Sequence, residues 1–127
     1  MDTQGHILLV EDDAIIQNLI ATILDSAGYG VVCAKDGEAG WDALSGSRFD
    51  LLITDNNMPN LSGLGLVRRL RAAQFTLPVL LISGEIPHHV KDLETLVTPG
   101  GILEKPFSMS KLLAHVRSLL VFAEASS

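Results

Sequence analysis

Short apolar runs alternate along the chain with longer segments in which apolar residues recur every three or four positions. Most of the runs lack polar residues, as the buried strands of a parallel sheet do. They lie at positions 7–10, 30–34, 51–54, 78–82 and 102–103. Strands that alternate with helices predict an α/β fold, here a doubly wound, five-stranded parallel sheet with five helices on its two faces.

The segments between the runs predict the helices. The first covers 14–27 and ends at Gly28, and its apolar face consists of Ile15, Ile16, Leu19, Ile20, Ile23 and Leu24. Further helices are predicted from Asp36-Gly37 to Leu44, from Ser62-Gly63 to about Ala73, and from the capping residue Ser108 onward.

The fourth helix is the weakest predicted element. Pro87 suits its first turn, and its buried face would comprise Val90, Leu93, Leu96 and Val97. β-branched residues lower its helix propensity, and the segment 98–101 ends it. We therefore expect the stretch 88–98 to be poorly helical and mobile.

Length and composition fit one folded domain. The chain has 127 residues, enough to bury a core, and its hydrophobic fraction of 47% argues against disorder. We assign residues 1–122 to the domain and 123–127 to a loose C-terminal tail. The net charge of −6 argues against nucleic-acid binding by this domain, and its one basic cluster is predicted to be a solvated helix face: Arg68, Arg69 and Arg71.

The sequence also bears on redox state and location. Cys33 is the one cysteine, so no intrachain disulfide forms, and its apolar neighbours predict a buried side chain. No apolar run approaches the ~20 residues of a membrane span, and residues 1–5 lack the basic and apolar blocks of a signal peptide. We expect a cytoplasmic protein without membrane contact.

Polar residues that carry chemistry stand at the ends of four predicted strands. They are Glu11-Asp12-Asp13 after the first, Asp55 on the third, Ser83 on the fourth and Lys105 after the fifth. The carboxyl ends of parallel strands share one edge of a sheet, where sites form. Converging carboxylates repel one another and demand a cation, and oxygen ligands suit Mg²⁺. Acids, hydroxyl and amine together are the groups needed to bind Mg²⁺ and to hold a phosphoryl group on a carboxylate.

Each of these signals also has a purely structural interpretation. The acidic triplet can simply cap the helix that follows, and Asp13 in particular suits that role. Ser83-Gly84 is often only a turn, and an isolated lysine is usually solvated. The histidines give no comparable pattern, because the adjacent pair His88-His89 would point about 100° apart on a helix.

The whole pattern resembles the receiver domain of two-component response regulators, over about residues 5–120. The motifs that carry the resemblance are Val10-Glu11-Asp12, Thr54-Asp55-Asn56-Asn57-Met58-Pro59 with Gly63, Ser83-Gly84, and Lys105-Pro106-Phe107. The resemblance implies the flavodoxin-like strand order 2-1-3-4-5, as in the chemotaxis regulators. It also implies a signalling domain that catalyses only its own phosphorylation and dephosphorylation.

The resemblance implies a role for each site residue. Asp55 would accept a phosphoryl group from a histidine kinase or a histidine phosphotransfer protein. Mg²⁺ would be held by Asp12, Asp55 and the backbone carbonyl of Asn57, with Glu11 acting mainly through water. Lys105 would neutralise charge on the transferring group, and Ser83 would donate a hydrogen bond to the new phosphoryl group.

The same resemblance implies a switch and a lifetime. Ser83 would pull its loop inward, and the readout surface would be the fourth helix, fifth strand and fifth helix, with an unidentified protein as target. Ile102 stands where the family often has an inward-rotating aromatic residue, so transmission must differ here. Asn57 and Glu85 would tune dephosphorylation, and we expect hydrolysis in minutes rather than hours. A phosphorylation-dependent dimer is compatible with these expectations.

Three other interpretations compete. An aspartyl phosphohydrolase would need a second acid where Asn57 stands, and a cap insertion. A receiver-like interaction module that is never phosphorylated would usually have lost the acceptor, the lysine or the acids. A flavodoxin-like ligand binder would need a glycine-rich phosphate loop after the first strand. The sequence leaves open whether this is a stand-alone receiver or part of a longer protein.

Overall fold

The computed structural model describes residues 5–85 and 90–126 and contains five strands and five helices in strict alternation. The strands are β1 His6–Val10, β2 Gly30–Ala34, β3 Leu51–Asp55, β4 Val79–Ser83 and β5 Gly100–Glu104. The helices are α1 Ala14–Ser26, α2 Gly37–Gly46, α3 Gly63–Ala72, α4 Leu93–Val97 and α5 Met109–Ser126. Predictions for Pro87 and for His88-His89 concern positions outside the described residues.

The five strands form one parallel sheet in the order β2-β1-β3-β4-β5, which confirms the predicted topology. In register, Val10 lies opposite Thr54, Asp55 opposite Ile82, and Ser83 opposite Glu104. The carboxyl ends of β1, β3, β4 and β5 therefore meet at one edge. That edge is where the sequence places its acids, hydroxyl and amine.

Side-chain alternation along the strands divides the core into two layers. Ile7, Leu9 and Ile53 belong to a layer that packs under α1 and α5. Leu8, Val10 and Leu52 point to the other face and pack under α2 and α3. A third, smaller cluster joins Leu81 of β4 to Leu93 and Val97 of α4. Apolar burial on both faces fixes the sheet, so its polar ends are held on a rigid base.

The apolar face of α1 is only partly buried, which corrects the prediction that its six apolar residues act together. Ile20 and Leu24 are buried, whereas Ile15 is 82% exposed and Leu19 is 51% exposed. At 3.6 residues per turn the six residues span about 180° of the helix surface. The sheet covers a narrower stripe, centred on Ile20 and Leu24, and leaves the far side of the arc in solvent.

Two predictions about helix extents need correction. α4 is a helix of five residues, and Val90 precedes the helix but still packs against the cluster that contains Leu93 and Val97. Its weakness agrees with the low propensity of its sequence. α5 runs to Ser126, so residues 123–126 continue a helix where a loose tail was predicted. The boundary of the domain at residue 122 stays a prediction.

Two predicted side-chain environments are also wrong. Cys33 is exposed because β2 is an edge strand that pairs with β1 alone, and the layers cover it incompletely. Arg71 does not belong to a solvated face. Its guanidinium donates to the carbonyl oxygens of Leu96 at 2.7 Å, Phe75 at 2.8 Å and Leu77 at 3.0 Å, and thereby ties the end of α4 to the segment after α3. Burial lowers the pKa of Arg71 from its ordinary value.

Within the part of the chain that the structure describes, no helix has the length and apolar character needed to cross a membrane. The cytoplasmic location expected from the sequence stays a prediction.

Arg71→Met should lower the free energy of unfolding by about 2 to 3 kcal/mol, because it leaves several carbonyl oxygens without their charged donor. Arg68→Met is the matched control. Arg68 makes an exposed ion pair with Asp92 at 3.2 Å, and its loss should cost less than about 1 kcal/mol. Urea denaturation measures both. Equal losses in the two variants would contradict the assigned role of Arg71.

Candidate functional site

Three carboxylates converge at the carboxyl edge of the sheet. Glu11 follows β1 and is buried, Asp12 is exposed beside it, and Asp55 ends β3 with only 3% of its surface exposed. One carboxylate oxygen of each residue lies within 4.8 Å of those of the other two. The strand register dictates this convergence, because β1 and β3 are neighbours that end together. The structure thus brings together the three predicted acids.

The surroundings of Glu11 raise the pKa of its carboxyl group. Burial is the main reason that the pKa of Glu11 rises from 4.5 to about 7, and the nearby charge of Asp55 adds to the rise. The backbone N–H of Asp13 donates to Glu11 Oε2 at 3.0 Å and opposes the shift, as does the charge of Lys105. The ionised cluster is therefore costly without a further positive charge.

Lys105 supplies one positive charge to the cluster. Its Nζ lies 3.0 Å from Asp55 Oδ1, and the Lys105–Pro106 peptide is cis. Although Oδ1 is in ion-pair contact, it is fully buried and accepts no hydrogen bond of acceptable geometry among the described residues. We regard the contact as electrostatic attraction that leaves the lone pairs of this oxygen for another ligand.

These observations fit a hard divalent cation. Three carboxylates face one amine, and their oxygen donors are of the type that Mg²⁺ prefers. The buried Oδ1 of Asp55 accepts no hydrogen bond among the described residues, so it can accept a further ligand. Glu11, Asp12 and Asp55 are the residues that could hold the ion.

Asp13 belongs to a different structure from its two acidic neighbours. Its Oδ1 accepts the backbone N–H groups of Ile15 at 2.9 Å and Ile16 at 3.1 Å, so it is the N-cap of α1. This confirms the capping role considered for Asp13.

The turn after Asp55 is held by Asn56, whose supporting role the sequence did not reveal. Its side-chain Oδ1 accepts the N–H of Leu64 at 3.0 Å, and its carbonyl accepts the N–H of Gly63 at 3.2 Å. A Cβ on Gly63 would lie 2.3 Å from the carbonyl oxygen of Asp55, so only glycine permits this approach. The N-terminus of α3 is therefore packed directly against the backbone of Asp55. An asparagine in a turn after a strand was the one available signal.

Ser83 lies at the predicted edge, but its hydroxyl is engaged with its own loop. It is buried at the end of β4 and donates to the carbonyl of Glu85, whose N–H contacts the same hydroxyl at 3.3 Å. Among the described residues the hydroxyl makes no hydrogen bond to Asp55. The backbone of Ser83 accepts the N–H of Lys105 at 2.8 Å, which joins the strand ends that carry the hydroxyl and the amine.

The other three predicted residues lie near the same edge of the sheet. Asn57 follows β3, Glu85 follows β4, and Ile102 lies on β5. Asn57 and Glu85 are exposed, and a Cβ on Gly84 would lie 3.9 Å from Asn57 Nδ2, so the two loops are neighbours. Ile102 is half-buried against the cluster of Leu81 with α4. It lines an open groove of about 340 Å³ between α4 and β5. The roles predicted for these three residues stay predictions.

Comparison with known proteins decides the family. A family model described as the response regulator receiver domain matches residues 7–117. The chain belongs to this family. Among related receiver-containing proteins, the transcriptional regulatory protein FixJ of Bradyrhizobium diazoefficiens is 36% identical over 129 residues, covering 100% of this chain and 62% of FixJ. CusR of Escherichia coli is 37% identical over 116 residues, covering 90% of this chain and 50% of CusR.

Solved receiver structures share the fold. Full-length FixJ from B. japonicum superimposes with a TM-score of 0.87 at 35% identity, covering 98% of this chain and 62% of FixJ. The response regulator TrrA from Thermotoga maritima, solved in complex with Mg²⁺-BeF, has a TM-score of 0.79 at 27% identity, covering 90% of this chain and 97% of TrrA. This receiver chain spans less than two thirds of FixJ and half of CusR.

The raised pKa of Glu11 predicts a stability effect in this receiver domain. Below pH 4.5 the carboxyl is neutral in both folded and unfolded states. As pH rises toward about 7, the unfolded chain loses the proton first, so folding weakens. Glu11→Gln should therefore raise the unfolding free energy of the metal-free protein at pH 8 by about 1 to 3 kcal/mol. Urea titrations at acid and alkaline pH measure this.

The exposed Glu104→Gln should change stability little at either pH. A Glu11→Gln variant no more stable than wild type at pH 8 would show that the buried carboxylate carries no such penalty.

Proposed function

We propose that this receiver domain accepts a phosphoryl group on Asp55 from a phosphohistidine of a partner protein, with Mg²⁺, and that the acyl phosphate switches binding of a protein target. One observation carries the proposal. The buried carboxylate of Asp55 stands 3.0 Å from the amine of Lys105 and within 4.8 Å of two further acids. A nucleophile, a cation site and a fixed positive charge are the groups that phosphoryl transfer requires.

The transfer breaks one bond on the donor histidine and forms one bond on Asp55. A carboxylate oxygen of Asp55 attacks phosphorus and forms the P–O bond of an acyl phosphate as the P–N bond of the donor breaks. The imidazole leaves with the electron pair of that bond, and is neutral when its other nitrogen carries a proton. Hydrolysis of the acyl phosphate by water restores the carboxylate and releases inorganic phosphate.

The residues divide the work by position. Asp12, Asp55 and the backbone carbonyl of Asn57 would hold Mg²⁺, with Glu11 behind them. When bound, the ion would neutralise part of the charge on the transferring group. The amine of Lys105 would remain beside the carboxylate of Asp55 and would contact the phosphoryl oxygens during the transfer. The buried, apolar base under Asp55 lowers the local dielectric, which strengthens these attractions.

Ser83 would convert phosphorylation into movement. Its hydroxyl now donates to the neutral carbonyl of Glu85. A hydrogen bond to a dianionic phosphoryl group is roughly twice as strong as one between neutral groups. The phosphoryl group therefore favours a loop in which Ser83 has left Glu85 and turned toward Asp55.

Apolar contacts supply the path from that loop to α4. Leu81, two residues before Ser83 on β4, packs with Ile102, Leu93 and Val97. Ile102 would take the place of the aromatic residue often found in this family by repacking within that cluster. The open groove beside Ile102 would then change shape as the loop moves. α4 is only five residues long, so its own helical structure would oppose this movement little.

The partners are proposed by class. The phosphodonor would be a histidine kinase or histidine phosphotransfer protein, and the target a protein that contacts α4, β5 and α5, including a second copy of this domain. FixJ and CusR are named as transcriptional regulators, and this chain matches only part of each. Control of transcription is accordingly proposed only for a longer protein containing such a domain, because the acidic receiver itself suits no nucleic acid.

Incubation with Mg²⁺ and phosphoramidate should add one phosphoryl mass to the protein, as measured by intact mass spectrometry. The gain should require Mg²⁺ and should vanish in Asp55→Asn, because the amide is no nucleophile. Asp42→Asn, which removes an exposed acid on α2, is the charge-matched control and should behave as wild type.

Modification that persists in Asp55→Asn would place the acceptor elsewhere. Absence of any adduct, together with no response to BeF₃⁻, would support the interaction module that is never phosphorylated.

Ser83→Ala should separate phosphorylation from switching. The variant keeps Asp55, Lys105 and the acids, so it should still bind BeF₃⁻. Wild type should show changed amide hydrogen exchange in residues 90–98 on adding Mg²⁺ and BeF₃⁻, and the variant should lose most of that change. Ser47→Ala, at an exposed serine, should retain it. Equal exchange of 90–98 with and without BeF₃⁻ in wild type would refute the proposed switch.

A further inference from the structure

We propose that Gln17 is a positioning residue for the Mg²⁺-binding acids: its side-chain amide bridges the ends of β1 and β2 and fixes the peptide that joins Glu11 to Asp12. The inference rests on the proposed function, because it concerns the same cation site. Gln17 lies on α1, outside the motifs that identify the family, and no chemical role was predicted for it.

The geometry is that of a two-pronged clamp. Gln17 Nε2 donates to the carbonyl oxygen of Glu11 at 3.1 Å and to that of Ala34 at 3.1 Å. Both partners are acceptors only, so the nitrogen of the amide must face them. The backbone N–H of Glu11 also donates to the carbonyl of Ala34 at 3.1 Å. Three hydrogen bonds thus close a small ring at the point where the chain leaves the sheet.

This ring restrains the peptide group between Glu11 and Asp12, which sets the positions of the two acids relative to each other. The carbonyl of Glu11 and the N–H of Asp12 belong to the same planar peptide, so they turn together. Rotation of that plane would move the buried carboxylate of Glu11 relative to the exposed one of Asp12. β1 ends at Val10, so the sheet ladder no longer holds this peptide. Gln17 supplies the missing restraint from the first turns of α1.

Restraint of this peptide would matter for Mg²⁺ affinity. The ion demands near-octahedral geometry with short metal–oxygen distances, so a small displacement of its carboxylates is penalised. Groups that orient metal ligands without touching the metal typically change affinity by about 10- to 100-fold when mutated. Attachment of α1 to the sheet does not require Gln17, because buried Ile20 and Leu24 already provide it.

The test is the Mg²⁺ affinity of the full chain, measured by titration calorimetry at fixed pH. Gln17→Met keeps the length and helix propensity of the side chain but donates no hydrogen bond. We expect its Kd for Mg²⁺ to rise about 10-fold. Asn18→Leu removes an exposed amide from the next position of α1 and should leave the Kd within about 2-fold of wild type.

A second variant and a second readout separate positioning from stability. Gln17→Asn keeps the amide but shortens its reach, so it should weaken Mg²⁺ binding as Gln17→Met does. The phosphorylation rate with phosphoramidate should recover to near the wild-type value at saturating Mg²⁺ in both variants. Urea midpoints without Mg²⁺ show whether either variant has lost stability.

The outcomes are distinguishable. Wild-type Mg²⁺ affinity in folded Gln17→Met and Gln17→Asn would overturn this inference and leave the proposed function standing. Affinity loss that tracks the urea midpoint across all variants, Asn18→Leu included, would also overturn it in favour of a general structural effect. Wild-type protein that binds no Mg²⁺ would overturn the proposed function and this inference with it.

Discussion

Three carboxylates held against a single amine are the physical constraint around which the candidate site is built. Glu11, Asp12 and Asp55 converge within 4.8 Å, and Lys105 offers one compensating charge. Such an arrangement is unfavourable in the absence of a cation, and burial, with the charge of Asp55 adding to its effect, raises the pKa of Glu11. The fold tolerates it because apolar burial on both faces of the sheet fixes the strand ends independently of the site. A divalent cation would relieve the repulsion among the carboxylates, and it would also offset the negative charge that a phosphoryl group on Asp55 would add.

The neighbouring elements differ in how firmly they are held. α3 is held at the turn after Asp55 by Asn56 and by the close approach of Gly63, and α1 is held by the buried Ile20 and Leu24 and capped by Asp13. α4 is short and depends on partners for its position, chiefly the guanidinium of Arg71 at its end. Ser83 lies between the firmly held elements and the weakly held α4. It is buried at the end of β4, but its hydroxyl donates a hydrogen bond to the loop residue Glu85. This contrast supports the proposal that the conformational change occurs on the side of α4.

Much of the fold and of the candidate site follows from local sequence. Apolar runs give the strands, and a parallel sheet brings their ends to one edge, so the meeting of Glu11, Asp12, Asp55 and Lys105 could be anticipated. The predictions that were wrong depend on contacts with neighbouring elements, which hydrophobic periodicity does not encode. An apolar arc on α1 does not say which part the sheet covers, and Cys33 is exposed because its strand is an edge. Arg71, Asn56 and Gln17 act through hydrogen bonds to backbone groups of other elements, and of the three only Asn56 carried a signal, as an asparagine in a turn after a strand.

The most direct test of the account is a crystal structure of the protein with Mg²⁺ and BeF₃⁻. We expect one Mg²⁺ held by Asp12, Asp55 and the carbonyl of Asn57, and a beryllium fluoride adduct on Asp55 in contact with Lys105. We also expect that the hydroxyl of Ser83 leaves Glu85 and donates to the adduct. An ion bound away from the three carboxylates, or an adduct on Asp55 with Ser83 still bonded to Glu85, would contradict it.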